Sequence, residues 1–162
     1  MLIAVLGDTH VPYRAKTLPV EAWRAISDVE LILHTGDVAD PALLDELSEI
    51  APVRCAVGNV DPVSVREWGA TDTVELEVGG VRVAMLHDSG SAAGRPGRLR
   101  RAFPDAQVVC FGHSHMPLVE QHDDLLLLNP GSPTDRRRAP TFTVALLEIA
   151  DGRAAARLVE LD

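Results

Sequence analysis

"LIAVLGDTH" (residues 2–10) is five consecutive aliphatic side chains, then glycine, then an acid and an imidazole within three positions. A strand with one wet face alternates apolar and polar residues. This run does not, which predicts a strand covered on both faces. "ELILHTG" (30–36) and "VRCAVGN" (53–59) repeat the pattern of a short apolar run, a glycine and a polar residue. Between them, "TLPVEAWRAISD" (17–28) brings Val20, Trp23 and Ile26 onto one helical face. "DPALLDELSEI" (40–50) is the clearest helix, with Asp40 as N-cap and Pro41 in its first turn. Its buried stripe is Leu43, Leu44, Leu47 and Ile50. A β-α-β-α-β order predicts a parallel sheet with right-handed crossovers, hence an α/β fold.

The second half is denser in strands. "DTVELEVGGVRVAMLHD" (72–88) reads as a hairpin about Gly79-Gly80. "RPGRLRRAFPDA" (95–106) reads as a short helix burying Leu99, Ala102 and Phe103, closed by Pro104, and "QVVCFG" (107–112) as another buried strand. Two further hairpins turn at 122–124 and at Asp151-Gly152. No repeat or linker divides the chain, so a single domain over residues 1–162 is expected.

A domain of this size buries enough surface to fold without disulfides or structural metal. Cys55 and Cys110 lie in apolar runs and read as reduced core residues. The net charge of −9 argues against a general nucleic-acid binder, whose surface would be basic. No stretch approaches the length of a membrane span, and the first apolar run is too short for a signal sequence. A cytoplasmic protein is the default expectation.

The polar residues that end the strands form a chemical set. They are Asp8 and His10, Asp37, Asn59, His87, and His113 with His115. In an open α/β sheet the carboxyl ends of the strands make the ligand edge, so these side chains should converge. Two carboxylates, one amide oxygen and four imidazoles suit Mn2+, Fe2+, Ni2+ or Zn2+ better than Mg2+ or Ca2+. Seven donors exceed one tetrahedral zinc site, and a bridging Asp37 gives each of two ions four protein ligands. Gly7, Gly36, Gly58 and Gly112 each precede a donor, where a residue without Cβ and free to take positive φ lets the chain leave the sheet sharply.

In order, "GDTH" (7–10), "TGD" (35–37), "GNVD" (58–61), "LHD" (86–88) and "FGHSH" (111–115) resemble the motifs of the calcineurin-like metallophosphoesterases. The closing "NPGSPTDRRRAPTFTVALLEI" (129–149) resembles that family's small bacterial and archaeal phosphodiesterase branch. The resemblance implies a four-layer α/β/β/α sandwich of two mixed sheets with a dinuclear centre at the sheet edges. It implies that Asp8, His10, Asp37 and His115 hold one divalent ion, and Asp37, Asn59, His87 and His113 the other, with Mn2+ foremost. A hydroxide shared by the two ions would attack a small phosphodiester in line. A homodimer or larger oligomer is also implied.

Two positions depart from the family pattern. Val60 stands where the family often has a histidine that contacts phosphate or protonates the leaving group. Asp88 stands where glycine is usual, and reads either as a hydrogen-bond partner of a metal-bound imidazole or as a replacement acid. Asp61 resembles the family's acid after this motif, which orients the Asn59 loop or takes part in catalysis. Arg136, with Asn59, is a candidate for binding substrate phosphate, against a reading of Arg136, Arg137 and Arg138 as a solvated run. His34 is expected to support the site from below, Asn129 and Ser132 to shape a loop, and His122 to lie at the surface. A phosphomonoesterase and a protein-binding scaffold of the same fold remain alternatives.

Overall fold

The runs at 2–6 and 31–34 become strands packed on both faces, whereas the run at 53–55 lies at a sheet edge with Arg54 exposed. The computed structural model describes residues 1–161. In chain order the elements are β1 (Leu2–Leu6), α1 (Val20–Ala25), β2 (Leu31–His34), α2 (Ala42–Ser48), β3 (Val53–Cys55), α3 (Val63–Trp68) and β4 (Thr73–Val78). There follow β5 (Val81–Leu86), α4 (Arg95–Ala102), β6 (Val108–Cys110), β7 (Leu118–His122), β8 (Leu125–Asn129), β9 (Phe142–Ala150) and β10 (Arg153–Leu161). One sheet has the order β10-β9-β1-β2-β3, the other β4-β5-β6-β8-β7.

Both sheets are mixed. In the first, β1, β2 and β3 are parallel, as the β-α-β-α-β reading predicts, and β9 then joins β1 antiparallel. In the second, β5, β6 and β8 are parallel, and β4 and β7 flank them antiparallel. Successive side chains of a strand point to opposite faces. Ala4 and Leu6 of β1 therefore meet Ala22, Ile26, Leu43, Leu44, Leu47 and Val65 beneath α1, α2 and α3. Ile3 and Val5 point the other way, into a cluster with Val83, Met85, Val108, Cys110, Leu126 and Leu128 of the second sheet. Behind that sheet, Leu99 and Phe103 of the α4 segment pack on Ala84, Val109 and Leu127. The result is helices, sheet, sheet, helix. Each fully buried aliphatic side chain contributes about 1.5–3 kcal/mol, so the three clusters account for most of what holds the layers together.

The hairpins turn where composition placed them. Gly79 and Gly80 both take positive φ, 54° and 78°, as a tight two-residue turn requires. Some helical details differ. Val20 is 52% exposed, and Leu18, Ala22 and Ile26 carry the buried face of the α1 segment instead. Ala102 is exposed, and Ala106, beyond Pro104, takes its place in the core. The N-cap position of α2 is Pro41 and not the expected Asp40, although Asp40 Oδ1 accepts the Ala42 N–H at 2.9 Å. The 60–71 segment, left unassigned from sequence, holds α3, which follows Pro62 and stops at Gly69 with φ 123°. Its two valines weaken the helical signal, since β-branching restricts the side chain against the preceding turn. No helix among the described residues is long and apolar enough to cross a membrane.

Candidate metal centre

The donor loops follow β1, β2, β3, β5 and β6 and meet at one edge of the sandwich. Their backbone is unusual. Asp8, His10, Asp37, His113 and His115 all have positive φ, between 46° and 68°. Left-handed backbone costs a non-glycine residue about 1–2 kcal/mol, and such strain collects at functional sites. It is held by backbone bonds between the loops, Asp8 N–H to Gly36 O and His10 N–H to Asp37 O, both 3.0 Å. The expectation that the preceding glycines absorb the sharp exit is therefore corrected. Of those four, only Gly36 has positive φ, at 104°. Gly58 is required by proximity instead, because a Cβ there would lie 2.1 Å from the Asp37 nitrogen.

The inward-facing atoms are almost all lone pairs. His87 donates from Nδ1 to the Thr35 carbonyl at 2.9 Å. In the neutral ring that leaves Nε2 with its lone pair free, 2.9 Å from Asn59 Oδ1 and 3.4 Å from Asp37 Oδ2. His115 donates from Nδ1 to the Asp135 carbonyl, so its Nε2 faces inward too, 3.3 Å from His10 Nε2 and 3.6 Å from Asp8 Oδ1. His113 Nδ1 lies 2.9 Å from Asn59 Oδ1. Asp37 Oδ2 sits between two rings, 3.4 Å from His87 Nε2 and 3.6 Å from His10 Nε2. Its other oxygen accepts the Val60 N–H at 3.0 Å. Asp8 Oδ1 accepts the His113 N–H at 3.1 Å, while Oδ2 is buried without a partner.

Such a cluster needs positive charge. Burial pushes the Asp8 carboxyl up to about 7; the nearby His87 pulls it down and the Asp37 charge pushes it further up. Burial also raises Asp37, but the His87 ring and the Val60 N–H more than offset this and hold it at about 2. Burial opposes a charged His87, yet Asp37 beside it raises its pKa on balance, whereas burial lowers His10 and His115. An orphaned carboxylate oxygen, two imidazoles that in their neutral form turn a bare nitrogen inward and an amide oxygen aimed at two rings fit divalent cations of mixed oxygen and nitrogen preference. Asp8, His10 and His115 offer atoms within 4.8 Å of one another, and so do Asp8, Asp37 and His87.

Around this ring the sequence candidates divide. Asp61 turns its carboxylate onto the backbone. Its carboxylate accepts the N–H of Asp37 at 2.9 Å, of Gly58 at 2.7 Å and of Ala39 at 2.8 Å, tying the Asp37 loop to the Asn59 loop. Asp88 does not steady His87. Its Oδ1 accepts the Gly90 N–H, and its Oδ2 lies 3.9 Å from the outer nitrogen of His113. Arg136 turns away from the centre, donating to the Ala139 carbonyl at 2.7 Å with its guanidinium over the Phe142 ring. Val60 is 48% exposed. An open cleft of about 360 Å³ is lined by Asn59, His87 and Asp88 together with Val57, Thr73 and the Arg66–Asp72 ion pair.

His34 supports the centre as expected. Burial holds its pKa near 3, so it is neutral, accepting the Gly36 N–H at Nδ1 and donating from Nε2 to Thr9 Oγ1. Asn129 donates to the Gly112 carbonyl, and Ser132 Oγ donates to the Asp8 carbonyl at 2.7 Å. His122 is paired with Glu120 beside the β7–β8 turn. Sequence reasoning missed Thr35 and Asp135, because each acts through its backbone carbonyl. Their signal was indirect: both sit in loops already marked by neighbouring motif residues.

Residues 1–152 match the calcineurin-like phosphoesterase superfamily domain. The chain is 42% identical over 136 residues to a probable metallophosphoesterase of Methanothermobacter thermautotrophicus, spanning 83% of this chain and 78% of that protein. It is 33% identical over 162 residues to a probable metallophosphoesterase of Methanocaldococcus jannaschii, spanning 100% of this chain and 82% of the relative. The fold superposes on Vps29 from Chaetomium thermophilum with a TM-score of 0.81 and 21% identity, covering 99% of this chain and 97% of that one. From its motifs, its layers and its relatives, the chain belongs to the calcineurin-like phosphoesterase superfamily.

Proposed function

We propose that residues 1–162 act as one metal-dependent phosphodiesterase domain, taking a small phosphodiester as substrate and Mn2+ as the preferred ion. The observation that carries this reading is the ring of inward lone pairs with the orphaned Asp8 oxygen at its base. Asp8, His10, Asp37 and His115 would hold one ion, and Asp37, Asn59, His87 and His113 the second. When bound, two divalent ions supply hydroxide near neutral pH and neutralise charge on phosphoryl oxygens.

The protein's own groups do the rest. The Thr35 and Asp135 carbonyls hold His87 and His115 in the tautomer that presents Nε2 inward. Asp61 fixes the spacing of the Asp37 and Asn59 loops and is a positioning residue. Asp88 sets a carboxylate oxygen 3.9 Å from the outer nitrogen of His113, too far for a hydrogen bond but near enough to bear on its charge. Val60 has no proton to give at the rim, which favours esters whose leaving group departs without strong acid assistance.

The test is hydrolysis of bis(p-nitrophenyl) phosphate by manganese-loaded protein, beside p-nitrophenyl phosphate and an Asp37→Ala variant. The reading predicts turnover of the diester in preference to the monoester, and loss of activity in the variant by orders of magnitude. Preference for the monoester would make the protein a phosphomonoesterase. Full metal occupancy without turnover of either ester would favour a non-catalytic binding role for the fold.

A further inference from the structure

Asp135 does more than hold the His115 ring through its carbonyl. Its side-chain Oδ2 lies 3.5 Å from Arg14 Nε and 3.9 Å from Arg137 Nε, and 4.0 Å from His115 Nδ1. Two guanidiniums from distant parts of the chain thus share one carboxylate directly behind a candidate metal ligand. One acid against two cations leaves a net positive charge, in a chain whose overall charge is −9. Neither guanidinium makes a hydrogen bond to another described residue, and their side chains are 64% and 48% exposed. That exposure leaves guanidinium N–H groups open to solvent, and the planar fork they form suits a phosphate.

The backbone that brings them there is specifically shaped. Arg14 N–H and Tyr13 N–H both bond the His10 carbonyl, at 2.9 and 2.7 Å, so the turn after His10 carries Arg14 to the rim. Arg137 has φ 47°, a left-handed conformation that a long side chain rarely adopts. It swings the side chain back onto Asp135, whereas the neighbouring Arg136 is spent on the Ala139 carbonyl and the Phe142 ring. Thr134 and Asp135 are in turn pinned to the centre, by Thr134 Oγ1 to the Thr9 carbonyl and by the Asp135 N–H to Ser132 Oγ at 2.9 Å. Arg137 is close enough to bear electrostatically on Asp8, His10 and His115, and Arg14 on His10.

We propose that Arg14 and Arg137, held together by Asp135, form a second anion subsite beside the metal centre, so that the substrate is a phosphodiester carrying a further phosphate next to the scissile one. This rests on the phosphodiesterase reading for what occupies the centre, but the subsite itself is a claim about binding. A 5′-phosphorylated dinucleotide has the required chemistry. Its terminal phosphate would take the arginine fork while the bridging phosphate lies at the centre.

The test is calorimetric titration of the manganese-loaded protein with phosphorothioate-linked diadenosine dinucleotides, which resist turnover, with and without a 5′-phosphate. Charge-assisted hydrogen bonds of this kind are worth about a tenfold change in affinity or more. The 5′-phosphorylated probe should bind at least that much tighter in the wild type. The preference should collapse in Arg14→Ala and Arg137→Ala, and in Arg137→Gly, which suits the backbone at that position. Arg138→Ala removes the same charge from the same run and should keep the preference. Equal Kd for the two probes, no measurable binding of either, a preference that survives loss of Arg14 and Arg137, or its equal loss in Arg138→Ala would overturn the subsite. Absence of bis(p-nitrophenyl) phosphate turnover alongside the predicted Kd ratios would sink only the hydrolytic reading and would support the subsite.

Discussion

Replacing Asp61 with alanine should damage both stability and metal affinity, although Asp61 touches no metal donor atom other than through backbone. Its carboxylate satisfies three backbone N–H groups, those of Asp37, Gly58 and Ala39, at 2.7–2.9 Å. Leaving a buried donor unpaired costs about 1–3 kcal/mol. These three are only partly buried and water reaches some of them, so the low end applies, about 3 kcal/mol for the set. In a chain of this length that lowers Tm by about 6–12 °C. The same three donors belong to the loops that carry Asp37 and Asn59, so their release should weaken metal binding about 10–100-fold. Asp61→Asn is the discriminating control. Its one amide oxygen can replace part of the set, but its NH2 then faces a donor, so it should fall between wild type and alanine. The assay is thermal unfolding by circular dichroism in chelator, which isolates the structural effect, followed by manganese titration. A Tm within about 2 °C of wild type for Asp61→Ala, with unchanged manganese affinity, would refute the staple.

Other expectations follow from the same geometry. Gly58→Ala places a methyl 2.1 Å from both the nitrogen and Oδ1 of Asp37, so manganese affinity should fall by at least about tenfold even if the fold survives. His34→Ala leaves the Gly36 N–H and Thr9 Oγ1 unpaired beside a new cavity and should lower stability by about 3 kcal/mol in denaturant unfolding. For pH, burial raises Asp8 from 3.8 unfolded to about 7 folded, so between those values the native state binds the extra proton. The Asp8 contribution therefore makes metal-free protein lose stability as pH rises from about 4 to about 7, with no further loss above that. Metal uptake within that window should release a proton, measurable as a buffer-dependent binding enthalpy. A heat independent of buffer at pH 6 would contradict it.

Much of this architecture was legible because the strands are short, aliphatic and followed by glycine and a donor. That pattern located β1, β2, β3 and β6 and, with the hairpin glycine pair, β5; of the residues it marked, Asp8, His10, Asp37, His87 and His115 cluster closely, with Asn59 and His113 in hydrogen-bond contact beside them. The helical faces were less legible. Val20 fits a periodic stripe on paper, but α1 is short and docks through Leu18, Ala22 and Ile26, so tertiary packing overrides the period. α3 was invisible because Val63 and Val65 carry little helical signal on their own. Within the site, residue type did not show which atom would be free. The inward lone pairs of His87 and His115 depend on the carbonyls of Thr35 and Asp135, and a backbone carbonyl has no sequence motif. Positive φ was expected at the glycines and falls mainly on the donors instead, because the crossing loops hold them there. In the run 136–138, composition could not separate Arg136, folded onto Phe142, from Arg137, folded onto Asp135.

The central claim is that one sheet edge grips two cations through a shared aspartate. Anomalous diffraction from crystals soaked in manganese measures this most directly. Two peaks should appear, one enclosed by Asp8, His10 and His115, the other by Asn59, His87 and His113, with the Asp37 carboxylate between them. Density without a peak, or a lone peak out of reach of Asp37, would contradict the account.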